Sequence, residues 1–178
     1  MDTKETLKMI MEPVGIIKNT ITAPSLKGDE KELSSTMKHE EMIKRHAKIK
    51  QTISEIVIYD RFEGICEGIE DFSHVLVLYW PHLLPEKSRS LLKVHPMGNK
   101  DLPEKGIFST CSPARPNPVL ITAVELISRK GNSLMVKGLE AVNGSPVVDI
   151  KPYTLSYHRQ KNIKVAKWME DTLKDFSD

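Results

Sequence analysis

The run His74-Val75-Leu76-Val77-Leu78-Tyr79-Trp80, halted by Pro81, constrains this chain more than any other feature. Its near-continuous apolarity suits one buried strand and falls far short of the roughly 20 residues that cross a bilayer. It is one of a series. Val14 to Ile17 and Ile53 to Tyr59 are rich in β-branched residues. Ser90 to His95, Gly106 to Thr110, Val119 to Ser128 and Leu134 to Lys137 follow, with turn residues between them. Lys130-Gly131-Asn132 reads as the hairpin turn before the last of these. Short strands without βαβ alternation predict a mainly β fold, a small barrel or sandwich rather than a doubly wound sheet. No Gly-X-Gly-X-X-Gly is present, so a nucleotide bound here is not held on a Rossmann turn.

Two segments read as helical. Residues 29–51 combine Glu, Lys, Met, His and Leu without proline or glycine. Residues 158–176 place Ile163, Ala166, Met169, Leu173 and Phe176 near helical spacing, which predicts an amphipathic helix packed on the β core. The length of 178 residues fits a single domain, 1–178, with a core of its own. Opposite charges nearly cancel at a net +2, so a nucleic-acid partner needs a local basic patch. Lys44, Arg45, Lys48 and Lys50 offer one, and Lys161, Lys164 and Lys167 another. Two cysteines, Cys66 and Cys111, are too few for a disulfide framework. With no apolar signal core near the amino terminus, the expectation is a cytoplasmic protein without a membrane segment. His39 and His46 stand two helical turns apart beside Glu40 and Glu41, a spacing that suits a solvated face better than a metal site.

Chemistry concentrates in two proline-bounded loops. Ser109-Thr110-Cys111-Ser112-Pro113-Ala114-Arg115-Pro116-Asn117-Pro118 excludes both strand and helix and presents Arg115 and Asn117 from a stiff backbone. Such a loop suits a binding site, or a turn whose Arg115 and Asn117 cap neighbouring carbonyls. In Gly138-Leu139-Glu140-Ala141-Val142-Asn143-Gly144-Ser145-Pro146-Val147-Val148-Asp149-Ile150-Lys151-Pro152-Tyr153, the Asn-Gly pair marks a turn and a strand follows, with Asp149 near its end.

Together with Pro13-Val14-Gly15-Ile16-Ile17 and the segment from Glu70 to Trp80, these two loops make four ordered motifs between about residues 12 and 155. In that order the chain resembles the TrmO-type proteins, S-adenosylmethionine (SAM)-dependent tRNA methyltransferases built on a β-barrel. The resemblance implies a small β-barrel; the helical segment at about 29–51 lies where the family usually has a shorter link and is an insertion, and the carboxy-terminal helix at about 158–176 packs on the barrel. It also implies SAM as cofactor, tRNA as partner and a homodimer. Carried over by position, the cofactor-binding residues are Pro24, Ser25, Leu26, His82, Leu83, Cys111, Arg115, Asn117, Ile121, Asn143, Gly144, Ser145 and Pro146. Asp149, Lys151 and Tyr153 become the catalytic candidates, with Asp149, or else Tyr153 or His82 by way of water, assisting deprotonation of the N6 nitrogen of the modified adenosine 3′ of the anticodon.

The chain also departs from that pattern. Cys111 and Ser25 stand where the family usually has arginines, and Leu120 replaces a glycine. Guanidinium contacts to the SAM carboxylate or to tRNA phosphate are lost at those positions, whereas backbone contacts survive. A small-molecule or other non-tRNA acceptor, and a SAM-binding module without catalysis, are the competing readings.

Overall fold

A computed structural model describes residues 9–158 and 160–176 of the chain. Ten strands form in order: β1 (Gly15–Lys18), β2 (Leu26–Gly28), β3 (Leu33–Ser35), β4 (Ile53–Ile58), β5 (His74–Tyr79), β6 (Lys93–Val94), β7 (Lys105–Gly106), β8 (Leu120–Lys130), β9 (Ser133–Lys137) and β10 (Pro146–Pro152). Six of them close into a barrel in the order β1-β10-β5-β8-β9-β4, every pairing antiparallel. Alternation explains the closure. Val75, Val77 and Tyr79 point inward from β5 and meet Val124 and Leu126 from β8, Leu134 and Val136 from β9, and Ile56 and Ile58 from β4. Each such side chain, fully buried, contributes roughly 1.5–3 kcal/mol.

β10 breaks the alternation at one place. Val147 faces Tyr79 and is fully buried, but the register then slips, and Asp149 rather than Val148 faces Leu78. Without that bulge Asp149 would share the inward face of Val147; with it, the carboxylate is turned outward. Ile150 returns to the core.

The predicted insertion divides into two kinds of structure. Its first part, expected as helix from residue 29, is instead the β2–β3 hairpin, turned by Asp29, whose carboxylate accepts the backbone N–H groups of Lys31 and Glu32. An Asx turn of this kind offers the backbone an alternative to helix. The helix proper is α1 (His39–Gln51). Glu41 reaches back to the Lys38 N–H, Glu40 and Glu41 lie in the first turn, and Lys48 and Lys50 lie in the last, so both ends complement the helix dipole.

The carboxy-terminal expectation needs a similar correction. Instead of one helix over 158–176 there are α2 (Leu155–His158) and α3 (Lys167–Leu173), with a 3-10 turn at Lys174–Phe176. Residues 163–166 between them are non-helical, and Asn162 has φ +56°. Ser90 to His95 and Gly106 to Thr110 likewise yield only the two-residue strands β6 and β7 plus 3-10 turns. A second, smaller core lies beneath them: Leu33, Leu91, Val94, Ile107 and Ala114. Ala114 belongs to the proline loop, so this cluster anchors that loop to the β2–β3 hairpin and to the β6–β7 segment.

Candidate functional site

At the end of the barrel where β5 finishes and β8 begins, a cavity of about 520 Å³ opens. That volume lies within the range of small-molecule sites. Pro24, Ser25 and Leu26 form one wall, and Pro81, His82 and Leu83 a second. Cys111, Pro113 and Arg115 supply a third from the proline loop, with Ile121 beside them and Ser145 below. Nine of the thirteen residues expected to bind cofactor therefore converge on one space. The other four, Asn117, Asn143, Gly144 and Pro146, do not line it.

Three of those four position the ones that do. Asn143 donates its N–H to the Ile21 carbonyl, and its side-chain oxygen accepts the Asn19 N–H at 3.0 Å. Gly144 donates to the Ile17 carbonyl with φ +83°, a conformation glycine adopts without the penalty a side chain would bring. The Pro146 carbonyl accepts the Trp80 N–H. Ser145 is thereby fixed, almost wholly buried, with its hydroxyl 3.2 Å from His82 Nδ1. Burial pushes the His82 imidazole below its ordinary value, so it is neutral near pH 7. Asn117 is exposed on the outer side of the proline loop.

Arg115 lines the cavity but is engaged at home. Its Nε donates to the Ser112 carbonyl at 2.8 Å and its Nη2 to the Thr110 carbonyl. The guanidinium thus staples the loop, which is the carbonyl-capping arrangement.

Several lining residues were not anticipated. α1 contributes Met42, Arg45, His46 and Ile49, all on one face at i, i+3, i+4 and i+7. That spacing is legible in the sequence as a single helical face, and Ile49, the buried residue of the helix, anchors it. His39, Glu40 and Glu41 are exposed, as expected of a solvated face, while His46 is half-buried; both imidazoles meet the Phe176 ring edge-on, at 5.8 and 5.5 Å. No cluster of metal-ligating side chains occurs among the described residues. Glu140 adds a carboxylate. The open cavity leaves it accessible, yet protein crowds its remaining sides, and this burial pushes the carboxyl up against the opposing fields of His46 and Arg45. Tyr79 donates its hydroxyl to the Glu140 carbonyl at 2.9 Å and lies 3.3 Å from the Thr122 hydroxyl. Desolvation pushes the phenol up to about 12, so it stays protonated.

Asp149, Lys151 and Tyr153 do not line the cavity. Lys151 Nζ pairs with Asp149 Oδ2 at 2.6 Å, and Asp149 Oδ1 accepts the Ile150 N–H. The pairing register nevertheless connects them to the site. Asp149 faces Leu78 and Leu78 faces Ile121, one outward row across β10, β5 and β8. Two strand spacings, about 10 Å, separate its ends. Ile121, on the cavity wall, is 60% exposed and Leu78 is half-buried, so the row runs from the cavity wall to the carboxylate along the barrel's outer face.

Comparison with known proteins adds four findings. The family model for the tRNA-methyltransferase O N-terminal domain matches residues 32–159. An S-adenosyl-L-methionine-binding protein of Archaeoglobus fulgidus is 35% identical over 146 residues, covering 82% of this chain and 90% of that one. The human tRNA (adenine(37)-N6)-methyltransferase is 29% identical over 159 residues, covering 89% of this chain and 33% of the human protein. Among solved structures, TrmO from Pseudomonas aeruginosa superimposes with a TM-score of 0.64 at 21% identity, a likeness of fold. It covers 90% of this chain, which spans 63% of that one.

Proposed function

The chain belongs to the tRNA-methyltransferase O N-terminal domain family, and from that premise we propose that its cavity binds SAM and that it methylates the N6 nitrogen of the threonylcarbamoyl-modified adenosine 3′ of the tRNA anticodon. The observation that carries the reading is the convergence of both proline-bounded loops on one cavity of suitable size. The residues present suit the ligand. Ile21, Leu26, Leu83 and Val142 give apolar surface for a flat base, and Ser25, Ser145 and Arg45 give polar groups for a ribose and an amino acid. When bound, SAM supplies an electrophilic methyl group, its C–S bond breaking as the acceptor's lone pair forms the new C–N bond.

This chain's own residues hold the geometry and move the proton. The Arg115 staple and the small core under Ala114 keep the proline loop in one conformation, so little entropy is lost on binding. The acceptor base approaches along the outward row of Ile121, Leu78 and Asp149. The carboxylate of Asp149, directly or through one water, takes the proton that N6 loses, and Lys151 orients it. A homodimer, with a second copy covering this face, would exclude water from the row. The names of the relatives support this reading on both sides: one binds SAM and one methylates adenine 37 of tRNA.

Two measurements test the reading. Calorimetric titration with SAM and S-adenosylhomocysteine is expected to give saturable binding, and silence at millimolar ligand overturns the donor assignment. Mass spectrometry of tRNA nucleosides, after incubation with SAM and threonylcarbamoylated tRNA, is expected to show a gain of one methyl on the modified adenosine. Binding of SAM without that gain moves the assignment to a small-molecule acceptor or a non-catalytic binding module.

A further inference from the structure

A ligand of the S-adenosyl class has a flat, weakly polar end and a zwitterionic amino-acid end, so a cavity that holds it gains from a cation that can meet the carboxylate. The permanently charged cations of this cavity among the described residues are Arg45 and Arg115. Arg115 is spent on the Ser112 and Thr110 carbonyls of its own loop. Arg45 is not spent. Its Nη2 donates to the Ala23 carbonyl, whereas its Nε is shut away from solvent with no acceptor at all. A buried donor on a charged group without a partner is costly, and the cost is removed when an anion brings acceptor oxygens to the fork. The cavity's imidazoles are poorer candidates: His82 is neutral beside Ser145, and His46 packs against the Phe176 ring. Packing also fixes where Arg45 can reach, because Ile49, one turn further along α1, is buried.

We propose that Arg45 is the anchor for the carboxylate of the ligand's amino-acid end, so that α1 is a working wall of the cofactor site. The proposal rests on the SAM reading of the cavity. It also accounts for how a cavity with the uncharged Ser25 and Cys111 on its walls can hold a carboxylate.

The test compares two ligands in one variant. Arg45→Gln removes the charge but keeps a donor for the Ala23 carbonyl. By isothermal titration, S-adenosylhomocysteine is expected to bind the variant at least tenfold more weakly than wild type. Methylthioadenosine, which lacks the amino acid, is expected to bind within twofold of wild type. Equal losses for both ligands, or unchanged affinity for S-adenosylhomocysteine, overturn the proposal. If the variant does not fold, the wild-type protein decides with the decarboxylated analogue of S-adenosylhomocysteine: a tenfold loss supports a carboxylate anchor, and equal affinity overturns it. Failure of the wild type to bind either S-adenosylhomocysteine or methylthioadenosine instead overturns the SAM reading beneath it.

Discussion

At the scale of single residues, three carboxylates and a glycine give separable expectations. Asp149→Asn removes the proposed proton acceptor at the end of the outward row but touches no cavity wall. Turnover is expected to fall by about 10²–10⁴-fold, with the SAM dissociation constant within a few-fold; loss of SAM binding in this variant would place Asp149 with the donor instead. Glu140 behaves differently, because it is the carboxylate within the cavity. Its folded-state pKa is raised, so the folded protein holds the proton more tightly than the unfolded chain. Stability therefore falls as pH rises from the unfolded value through the folded one, and the deficit persists above it. Glu140→Gln is expected to raise the melting temperature at pH 7 by about 1–3 °C and to have little effect at pH 4, as read by calorimetry at the two pH values. Asp29, by contrast, has its pKa lowered by the backbone N–H groups of Glu32 and Lys31. Its contribution to the β2–β3 turn is present at neutral pH and is lost as pH falls through the lowered value. Gly98 has φ +67°, and a Cβ there would run into the backbone of Ser34 and Ser35. Gly98→Ala should destabilise by about 2 kcal/mol or more, a midpoint shift visible in urea titration.

At the scale of elements, the proline loop and α1 divide the work of shaping the cavity. Arg115→Lys keeps the charge but cannot reproduce the planar fork that reaches two carbonyls. Looser loop geometry is expected to weaken SAM binding by about tenfold, that is about 1.4 kcal/mol, while the melting temperature changes little, since the barrel does not depend on that staple. Titration and thermal melts on the same sample check both halves. The strands of the barrel were legible because short runs of β-branched and apolar residues, bounded by turn residues, declare strands regardless of context. β1, β4, β5 and β9 fall within a residue or two of where the sequence puts them. The segment from residue 29 misled because its helix-forming composition hides the Asp29 turn, a local hydrogen-bond pattern that propensity does not register. The carboxy-terminal helix misled because spacing alone does not resist a break such as the one around Asn162. Within the site, the loops announced themselves through proline and glycine. Arg45 read only as part of a basic surface patch, and Glu140, though inside the second loop segment, carried no signal of its own; each reaches the cavity only through the element packed opposite.

At the scale of the whole molecule, the near-neutral net charge leaves recognition of an anionic polymer to local surfaces. Lys44 and Lys48 are exposed on α1, and Lys161, Lys164 and Lys167 are exposed near the carboxy terminus. If either surface receives tRNA, affinity should fall with a log–log salt slope of about −0.7 to −0.9 for each phosphate neutralised. Lys44→Glu with Lys48→Glu should then flatten that slope while leaving SAM affinity intact, as read by fluorescence anisotropy at several salt concentrations; Arg45 is left out because it belongs to the cavity. The barrel itself closes across its shortest seam. β1 and β10 pair only at Gly15–Val147 and Ile16–Pro146, and the next backbone bonds along β1 run from Ile17 to Ser145 and from Gly144 to Ile17. The hoop is therefore clasped by the same turn that floors the cavity. A ligand resting on Ser145 bears on that clasp, so hydrogen exchange at the Ile17 and Gly144 amides is expected to slow in step with saturation.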